Sequence, residues 1–521
     1  MLKYLNQKSI KHLLLSSFLL IAAACTEDLN TLPEDDDTQV GEQVLTTEED
    51  FLQLLAGVYS NFTLPSPTGP TDSNIQGLDA GSSVFTRTLW YLQELSTDAA
   101  IWSYENDPGV ADVQRNTWNE TNEFVSGMFG RMALTLALST NFIQQASGSD
   151  IPAVSQMTAE ARFLRALTYY YYLDLFGKAP FLADDAPIGD TTFRPEQAER
   201  QQLFDFVESE ALDLLNLLPA AGSGEYGRAD AGAVQMLLAK LYLNAQVYVG
   251  QDRYTDCLTY CNLLIASYNL NPVYDYNFTA DNDRSGEIIF PLISDGAVSQ
   301  SFGGTTIIIN GEWGAVEQNS AELGVSGTFG GALRLRQQMS EILLDPASGS
   351  RNTLSTAGRT IDNADIAIRE FGYVHTKFKN VTSSGSAGRD EVFVDTDYPL
   401  FRLGDVYLMY AEAVLRNGSG GTEGEAVNLI NELRDRVNAP TINPSDLTLD
   451  FILDERAREL FWEGHRRQDL IRFGQFTGGS YNWEWKGSSQ SGTSIAEHLS
   501  LYPIPARSLS QNPNLTQNTG Y

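Results

Sequence analysis

The stretch that decides the fold is residues 454–474, which read DERARELFWEGHRRQDLIRFG. In its first half Ala457, Leu460 and Phe461 recur at helical spacing and predict one apolar face of a helix. Gly464 separates this helix from a second, shorter one in the remaining residues. Between the apolar positions the charges alternate in sign at separations of three and four residues. This pattern favours either a helix surface or a buried charge cluster that joins the helix to its neighbours.

The glutamates of this stretch invite comparison with catalytic acids and bases. Each of them has an arginine within one helical turn, as Glu459 has Arg456. Such a neighbour holds a carboxylate ionised rather than bringing its pKa near neutrality. Since structural ion-pair networks also perturb pKa values, we interpret the stretch as architectural.

Two motifs of the chain resemble those of a known family. Residues 455–474 match the form ERxREL…EGxRxxDLIRxG, and residues 501–521, LYPIPARSLSQNPNLTQNTGY, match PIP…NPNLxQNxGY. Both forms resemble the SusD/RagB family of outer-membrane nutrient-binding lipoproteins, although Thr519 stands where the family usually has proline. The resemblance covers essentially the whole mature chain. It implies a mostly α fold, a tetratricopeptide-like scaffold of four helical pairs with long irregular loop insertions and a few short β-strands.

Residues 1–24 are typical of a secretory signal peptide. Three lysines precede an apolar run at residues 13–21, which is too short to span a bilayer, and three alanines lead to Cys25. This junction resembles a bacterial lipobox, in which the new N-terminal cysteine carries lipid, so we predict Cys25 as the lipidation site. Ordinary secretion with an incidental cysteine is the alternative.

Residues 25–45 are predicted to form a lipidated, flexible tether, because an acidic, proline-bearing segment cannot bury enough surface to fold. The acidic residues that follow Cys25 also resemble the surface-export signal of Bacteroidota lipoproteins. We therefore expect an outer-membrane protein, lipid-anchored and exposed at the cell surface, that contacts the membrane through its lipid alone.

The composition, with 42% hydrophobic and 19% charged residues, is that of a soluble globular protein. Helical patterns cover the chain without an obvious linker, so residues 46–521 are predicted to form a single domain. The formal net charge of -33 disfavours nucleic acid and other polyanionic partners and leaves neutral ligands open. Cys257 and Cys261 are predicted to be two buried thiols, with a disulfide across one helical turn as the geometrically awkward alternative.

Helical periodicity predicts helices along most of the chain. Two pairs have the small-then-large spacing of tetratricopeptide-like hairpins, residues 228–245 with the helix that follows and residues 401–418 with residues 425–437. Four consecutive tyrosines, residues 169–172, place rings all round one helix, which should therefore be buried on several faces. The predicted helices cover residues 46–59, 122–145, 158–176, 196–218, 229–248, 252–267, 403–416, 424–437 and 449–463.

Two long insertions lie between the helical pairs. Residues 61–121 and 270–400 are rich in Gly, Ser, Thr and Asn, with short β-type runs at residues 288–293 and 305–309. Long irregular segments of this kind are usually functional, so we expect ligand binding in these insertions.

No residue pattern predicts catalysis. Outside the signal peptide the histidines are His375, His465 and His498, and none has metal-ligand spacing or a suitable Ser and Asp context. The abundant acidic pairs leave a glycosidase dyad open. We predict that the protein is not an enzyme, and we assign no cofactor and no metal-binding residue.

Aromatic residues in polar loops are the positive signal for a binding site. Sugars present flat C–H faces that pack on aromatic rings, while their hydroxyl groups need polar side chains. Trp102, Tyr104 and Asn106 precede a Pro-Gly turn in the first insertion, where we expect their side chains to reach solvent. Trp313 lies in the second insertion, shortly after Phe302.

Each tryptophan has an alternative role, which is to plug the scaffold beneath its own loop. We assign this packing role to Trp483 and Trp485 in a third irregular segment, residues 478–494. For Trp102 and Trp313 the family resemblance implies binding, because glycan-binding members present an aromatic arc from equivalent loops.

The predicted glycan site consists of Trp102, Trp313, Asn106, Arg87, Phe302 and Tyr104. From the resemblance we expect a protein that captures an oligosaccharide or polysaccharide, with an α-glucan as one candidate. It would deliver this glycan to a SusC-like TonB-dependent outer-membrane transporter. The alternatives are a binder of peptide or another nutrient on the same scaffold and, from a different class, a secreted glycoside hydrolase or an adhesin.

Overall fold

The computed structural model describes residues 45–312, 320–326 and 329–521. The predicted signal peptide and tether, up to residue 44, lie outside the described residues. So do the predicted lipidation residue Cys25 and the predicted site residue Trp313.

Contacts divide the chain into two compact units, Met1–Leu52 and Gln53–Tyr521. In the first unit the Asp50 carboxylate accepts hydrogen bonds from the backbone N–H groups of Thr46 and Thr47, next to the start of the helix Glu48–Ser60. The second unit contains the helical pairs and every predicted site residue that the structure describes. The single domain predicted for residues 46–521 stays a prediction.

The protein is mostly helical, as the sequence predicts. Asn122 and Asp230 each cap a helix, because their side-chain oxygens accept hydrogen bonds from first-turn N–H groups that lack a partner within the helix. The helix predicted at residues 158–176 begins earlier, at Pro152, and the one predicted at residues 229–248 is divided at Asn244. Within the described residues the α-helices are α1 (Glu48–Ser60), α2 (Ala80–Ser83), α3 (Phe85–Trp90), α4 (Val110–Gln114), α5 (Glu123–Ala146), α6 (Pro152–Leu175), α7 (Arg200–Leu214), α8 (Ala231–Leu243), α9 (Ala245–Val249), α10 (Tyr254–Ser267), α11 (Gly304–Glu312), α12 (Ser320–Leu323), α13 (Gln337–Leu344), α14 (Leu403–Leu415), α15 (Glu423–Asp435), α16 (Leu449–Leu460), α17 (Arg466–Arg472) and α18 (Ala506–Gln511).

Successive helices pack as pairs. Helix α5 packs on α6, α8 on α10, and α14 on α15. The last two are the predicted tetratricopeptide-like pairs, and α10 also packs on α14, which places these pairs side by side. The four tyrosines of α6 are all buried, as predicted from their succession.

The described strands form two-stranded antiparallel ribbons. The strand Ile288–Leu292 confirms the β-type run at residues 288–293, whereas the strand predicted at residues 305–309 is wrong, because these residues lie in α11. Gly304, with a φ of +54°, begins this helix, and Ile307–Ile309 are buried, so tertiary packing outweighs their β propensity. The ribbons pair β1 (Ile101–Trp102) with β5 (Leu333–Arg334), β2 (Lys178–Pro180) with β3 (Gln197–Glu199), β4 (Ile288–Leu292) with β8 (Tyr398–Arg402), and β6 (Leu354–Ser355) with β7 (Val374–His375).

The stretch 454–474 forms the end of α16 and all of α17, with the predicted break at Gly464. Both Trp462 and Gly464 have positive φ, +64° and +79°, which turns the chain sharply between the helices. The Glu94 carboxylate accepts hydrogen bonds from the backbone N–H groups of Gly464 (2.7 Å) and His465 (3.0 Å). Glu94 is fully buried, and this burial raises its pKa to about 8 despite the two backbone donors.

The charges of this stretch form a buried network rather than an exposed helix surface. The Glu459 carboxylate contacts Arg351 (2.9 Å), Arg402 (2.7 Å) and Arg436, and its side chain has no solvent exposure. Burial by itself raises the pKa of Glu459, but the three guanidinium groups outweigh it and hold the pKa below its ordinary range. The interpretation of the stretch as architectural rests on this cluster, in which Arg456 also pairs with Asp405 (2.8 Å).

Cys257 and Cys261 are free, buried thiols on α10 with their sulfur atoms 3.9 Å apart, which confirms the prediction of two buried thiols. In the part of the chain that the structure describes, no helix combines the length and the apolar composition needed to cross a membrane.

Candidate functional site

A two-residue strand joins the two long insertions at the candidate site. In β1, Trp102 lies opposite Leu333 of β5. The backbone N–H of Trp102 donates to the Gln114 side-chain oxygen at 3.0 Å, and the N–H of Ser103 donates to the Ala332 carbonyl at 2.9 Å. The first insertion is therefore fixed to the second at Trp102 and Ser103, just before the predicted binding residues Tyr104 and Asn106.

The Trp102 side chain is buried, with 2% of its surface exposed. Its ring lies 6.1 Å from Tyr91, 6.2 Å from Tyr104 and 5.9 Å from Phe329, measured between ring centroids. A Cβ atom added at Gly311 would lie 2.8 Å from the ring, so only glycine permits this approach of α11. The prediction that Trp102 reaches solvent is wrong, because pairing with β5 turns the ring beneath its loop.

Tyr104 is half-buried and lies above Trp102. Arg369 from the second insertion donates to the Tyr104 hydroxyl at 2.6 Å and places its guanidinium carbon 4.8 Å from the ring centroid. The other guanidinium nitrogen donates to the Gly330 carbonyl at 2.8 Å, next to the half-buried Phe329. Tyr104 therefore presents part of its ring to solvent in a fixed orientation.

Asn106 is exposed on the turn that follows Tyr104. Glu105, between them, accepts a two-pronged ion pair from Arg115, with both N–O distances at 2.7 Å, and a hydrogen bond from Gln114 at 2.8 Å. These contacts of Glu105 fix the turn, so the exposed Asn106 lies on an ordered loop.

Arg87 lies on α3 and is half-buried. Its guanidinium donates to the Tyr91 hydroxyl at 3.3 Å and lies 5.3 Å from the Tyr91 ring centroid. Since Tyr91 also packs on Trp102, the structure connects Arg87, Trp102 and Tyr104 through one set of ring contacts. Tyr91 begins a π-helical segment, Tyr91–Leu95, that directly continues α3.

Phe302 approaches the same region from a different loop. Its ring is half-buried and pairs with Phe393 at 4.9 Å. The adjacent Gly303 lies against Val84 and Thr86, close to the first turn of the helix that carries Arg87. Phe302 is thus near α3, but its ring packs on Phe393, whereas Trp102 packs on Tyr91, Tyr104 and Phe329.

Three tryptophans outside the candidate site contact other parts of the fold. Trp118 is 3% exposed, and its indole N–H donates to the Tyr521 hydroxyl at 2.8 Å. Trp483 is fully buried, and the indole N–H of Trp485 donates to the Asn363 carbonyl at 2.8 Å. Its burial confirms the packing role predicted for Trp483, whereas Trp485 is half-buried and its packing role stays a prediction.

Sequence patterns missed four residues of the candidate site, the buried Tyr91 and the half-buried Phe329, Arg369 and Phe393. Tyr91 follows an ordinary helical pattern, and the others lie in irregular parts of the second insertion. Only the fold brings them to Trp102, Tyr104 and Phe302, so no local signal was available for them.

The described histidines outside this surface are held by packing. His375 contacts the Phe461 ring at 4.4 Å, and burial lowers its pKa to about 3. Burial also lowers the pKa of His465 far below its ordinary value. Among the described residues no group of three or more His, Cys, Asp or Glu side chains is arranged to hold a metal ion.

Comparisons with known proteins agree with this architecture. Residues 346–521 match the model of the SusD family. The starch-binding protein SusD of Bacteroides thetaiotaomicron is 32% identical over 497 residues, which cover 86% of this chain and 88% of that protein.

Solved structures of other proteins share this fold. The surface glycan-binding protein A of Bacteroides thetaiotaomicron in complex with laminarihexaose has a TM-score of 0.68 at 21% identity, covering 91% of this chain and 100% of that one. A SusD superfamily protein from Parabacteroides distasonis has a TM-score of 0.69 at 22% identity, covering 92% of this chain and 100% of that one.

Proposed function

This chain belongs to the SusD family, and from that premise we propose that it binds a neutral glycan on the surface around Tyr104 and Phe302. The observation that carries the proposal is a set of half-buried rings, Tyr104 and Phe329, that rest on the buried Trp102 and are held by Arg369. Such rings offer flat apolar area at fixed orientation, which suits the C–H face of a sugar. Arg87 and Asn106 supply hydrogen-bonding groups at the edge.

The site residues differ in how they are proposed to act on the glycan. Tyr104, Asn106, Arg87 and Phe302 retain accessible surface and are proposed to contact the glycan. Trp102 is proposed to act indirectly, as the floor on which Tyr104 rests. Trp313 remains a predicted contact outside the described residues.

The ligand is proposed to be an oligosaccharide or polysaccharide without charge. A formal net charge of -33 repels an anionic glycan, whereas it has little effect on the binding of an uncharged one. Because one relative is a starch-binding protein, an α-glucan is the first candidate, and a laminarin-type glucan is the second because of the bound laminarihexaose in a structural neighbour.

Replacing Tyr104 with alanine should weaken binding of the preferred glycan by about tenfold or more, which corresponds to about 1.4 kcal/mol. The ring provides stacking area and no charge, so the affinity of the unmodified protein should change little with salt concentration. Calorimetric titration of the chain lacking residues 1–25, after a screen against soluble polysaccharides, measures both.

Two variants control this experiment. Tyr104→Phe keeps the ring and should retain most of the affinity, although it loses the hydrogen bond from Arg369. Tyr276→Ala removes a ring that is 39% exposed elsewhere and should leave affinity unchanged. If Tyr104→Ala binds as tightly as the unmodified chain, this surface is not the glycan site.

The wider function is proposed from the family. The protein captures glycan at the cell surface, held to the outer membrane by lipid on Cys25, and passes it to a SusC-like TonB-dependent transporter. It does so without covalent chemistry. Binding of peptides but not glycans would favour the other nutrient class, and release of reducing sugar would identify a hydrolase.

The anchor has its own test. Cys25→Ser removes the thiol that would carry lipid, so the protein should move from the detergent-extracted membrane fraction to the soluble fraction of the cells that produce it. Immunoblotting of the two fractions measures the shift, with Cys257→Ser, a buried thiol, as the control that should stay with the membrane. Unchanged membrane association of the Cys25 variant would contradict lipidation at this residue.

A further inference from the structure

Three concavities lie close to the second insertion. The first, a cavity of about 10 Å³ with room for about one water molecule, is lined by Thr86, Gly303 and Phe393, whose ring pairs with Phe302. It shares Ile293 and Ser294 with a second concavity of about 410 Å³. The second concavity therefore lies close to Phe302 and Phe393, although the cavity between them is too small to admit a sugar.

Tyr226 lines both the second concavity and a third one of about 300 Å³. The third is also lined by Arg228, Asp230 and Tyr268. The second and third concavities share Tyr226, and together we call them the distal groove. The distal groove extends from Arg389 past Tyr226 to Tyr268.

Tyr226 forms a fixed aromatic ridge within the distal groove. Its side chain is 39% exposed, while its hydroxyl donates to the buried Asp397 carboxylate at 2.8 Å. The neighbouring Gly227 has a φ of +84°, and a Cβ atom added there would lie 3.0 Å from Ile293, which is itself 37% exposed. Tyr226 and Ile293 thus lie on either side of Gly227 and offer apolar area whose orientation is set from beneath.

Donors and acceptors flank this ridge. Arg389 has 55% of its side chain exposed and pairs with Asp295 (3.0 Å) and Asp395 (2.7 Å). On the other side the Tyr268 hydroxyl accepts a hydrogen bond from the Gly222 N–H at 3.0 Å and lies 3.4 Å from Asp230. Hydroxyl groups of a sugar match both kinds of partner.

The charge of the distal groove restricts its ligand. The second concavity is lined by five aspartates and two arginines. Burial raises the pKa of Asp397 to about 7, but the other four aspartates still outnumber the arginines and would repel an anionic chain. The lining charges are those of Asp281, Asp283, Asp295, Asp395, Asp397, Arg284 and Arg389.

We propose that the distal groove binds the continuation of a neutral glycan chain whose first residues occupy the Tyr104–Phe302 surface, with Tyr226 as its stacking residue. The inference rests on the proposed function and adds to it a preference for long chains. Each additional sugar that reaches Tyr226 gains apolar contact and hydrogen bonds, so affinity should rise with chain length.

The test compares trisaccharides and hexasaccharides of the maltose and laminaribiose series by calorimetric titration. The unmodified protein should bind the hexasaccharide of its preferred series about tenfold more tightly than the trisaccharide. Tyr226→Ala should reduce the affinity for the hexasaccharide to that for the trisaccharide and leave the trisaccharide unaffected. Tyr276→Ala, which removes an equally exposed ring outside the three concavities, should change neither.

Further variants separate stacking from folding. Tyr226→Phe keeps the ring without the bond to Asp397 and should retain the hexasaccharide affinity, while thermal unfolding checks that each variant is folded. Equal affinity for both lengths, or a Tyr226→Ala variant that binds the hexasaccharide normally, would show that the distal groove does not bind glycan. Neither result would contradict the proposed function. Failure of the unmodified protein to bind either series at any length would overturn both.

Discussion

Replacing Glu459 with alanine should lower the free energy of unfolding by about 3–5 kcal/mol, the range typical of breaking a buried ion pair by removing one partner. The Glu459 carboxylate contacts Arg351, Arg402 and Arg436, whose side chains are at most 5% exposed. Without it, three guanidinium groups remain in the interior with fewer counter-charges. Denaturant unfolding followed by circular dichroism measures the loss.

A control substitution tests whether the loss of an exposed glutamate has the same effect on stability. Glu497 is exposed, so Glu497→Ala should leave the unfolding midpoint almost unchanged. Glu459→Gln keeps the shape and one acceptor oxygen, and should destabilise less than alanine does. If Glu459→Ala unfolds at the same denaturant concentration as the unmodified chain, the network does not hold the fold together.

The effect of Glu459 should also depend on pH. Its folded-state pKa is held below the ordinary value of 4.5, so its contribution is fully present above pH 4.5 and is lost as the pH falls below that value. The difference in stability between the variant and the unmodified chain should therefore shrink in acid.

Local signals were sufficient for the helices of the decisive stretch, and insufficient for its partners. The spacing of Ala457, Leu460 and Phe461 predicts the first helix, and Gly464 predicts the break, because both depend on neighbours along the chain. Of the three arginines around Glu459, Arg351 ends a short 3-10 helix (Pro346–Arg351), Arg402 ends β8, and Arg436 directly follows α15. Which arginine meets which glutamate is decided by the packing of these segments.

The candidate site was predictable in its residue types and less so in its geometry. Tyr104 and Asn106 lie on an accessible turn, as their Pro-Gly context predicts. Trp102, two residues before Tyr104, is buried because it pairs with β5 from the other insertion. A contact between segments so far apart in the sequence has no local pattern that could predict it. The same reason explains residues 305–309, whose β propensity is outweighed by packing in α11.

Trp102 is buried and Tyr104 is half-buried, so we expect the two rings to have different roles. Trp102→Ala should lower the free energy of unfolding by about 3–5 kcal/mol, since it leaves a cavity between Tyr91, Tyr104 and Phe329. Tyr104→Ala, by contrast, should cost little stability and much of the glycan affinity, because this ring is half-exposed.

Denaturant unfolding and calorimetric titration of both variants distinguish the roles, provided that titration is done where Trp102→Ala remains folded. We expect its affinity to fall as well, because Tyr104 and Phe329 lose the surface on which they rest. Trp102→Phe fills part of the cavity and should recover part of both quantities. A Trp102→Ala variant with unchanged stability and lost affinity would mean that the indole itself stacks on the sugar, and that the ring leaves its buried position when glycan binds.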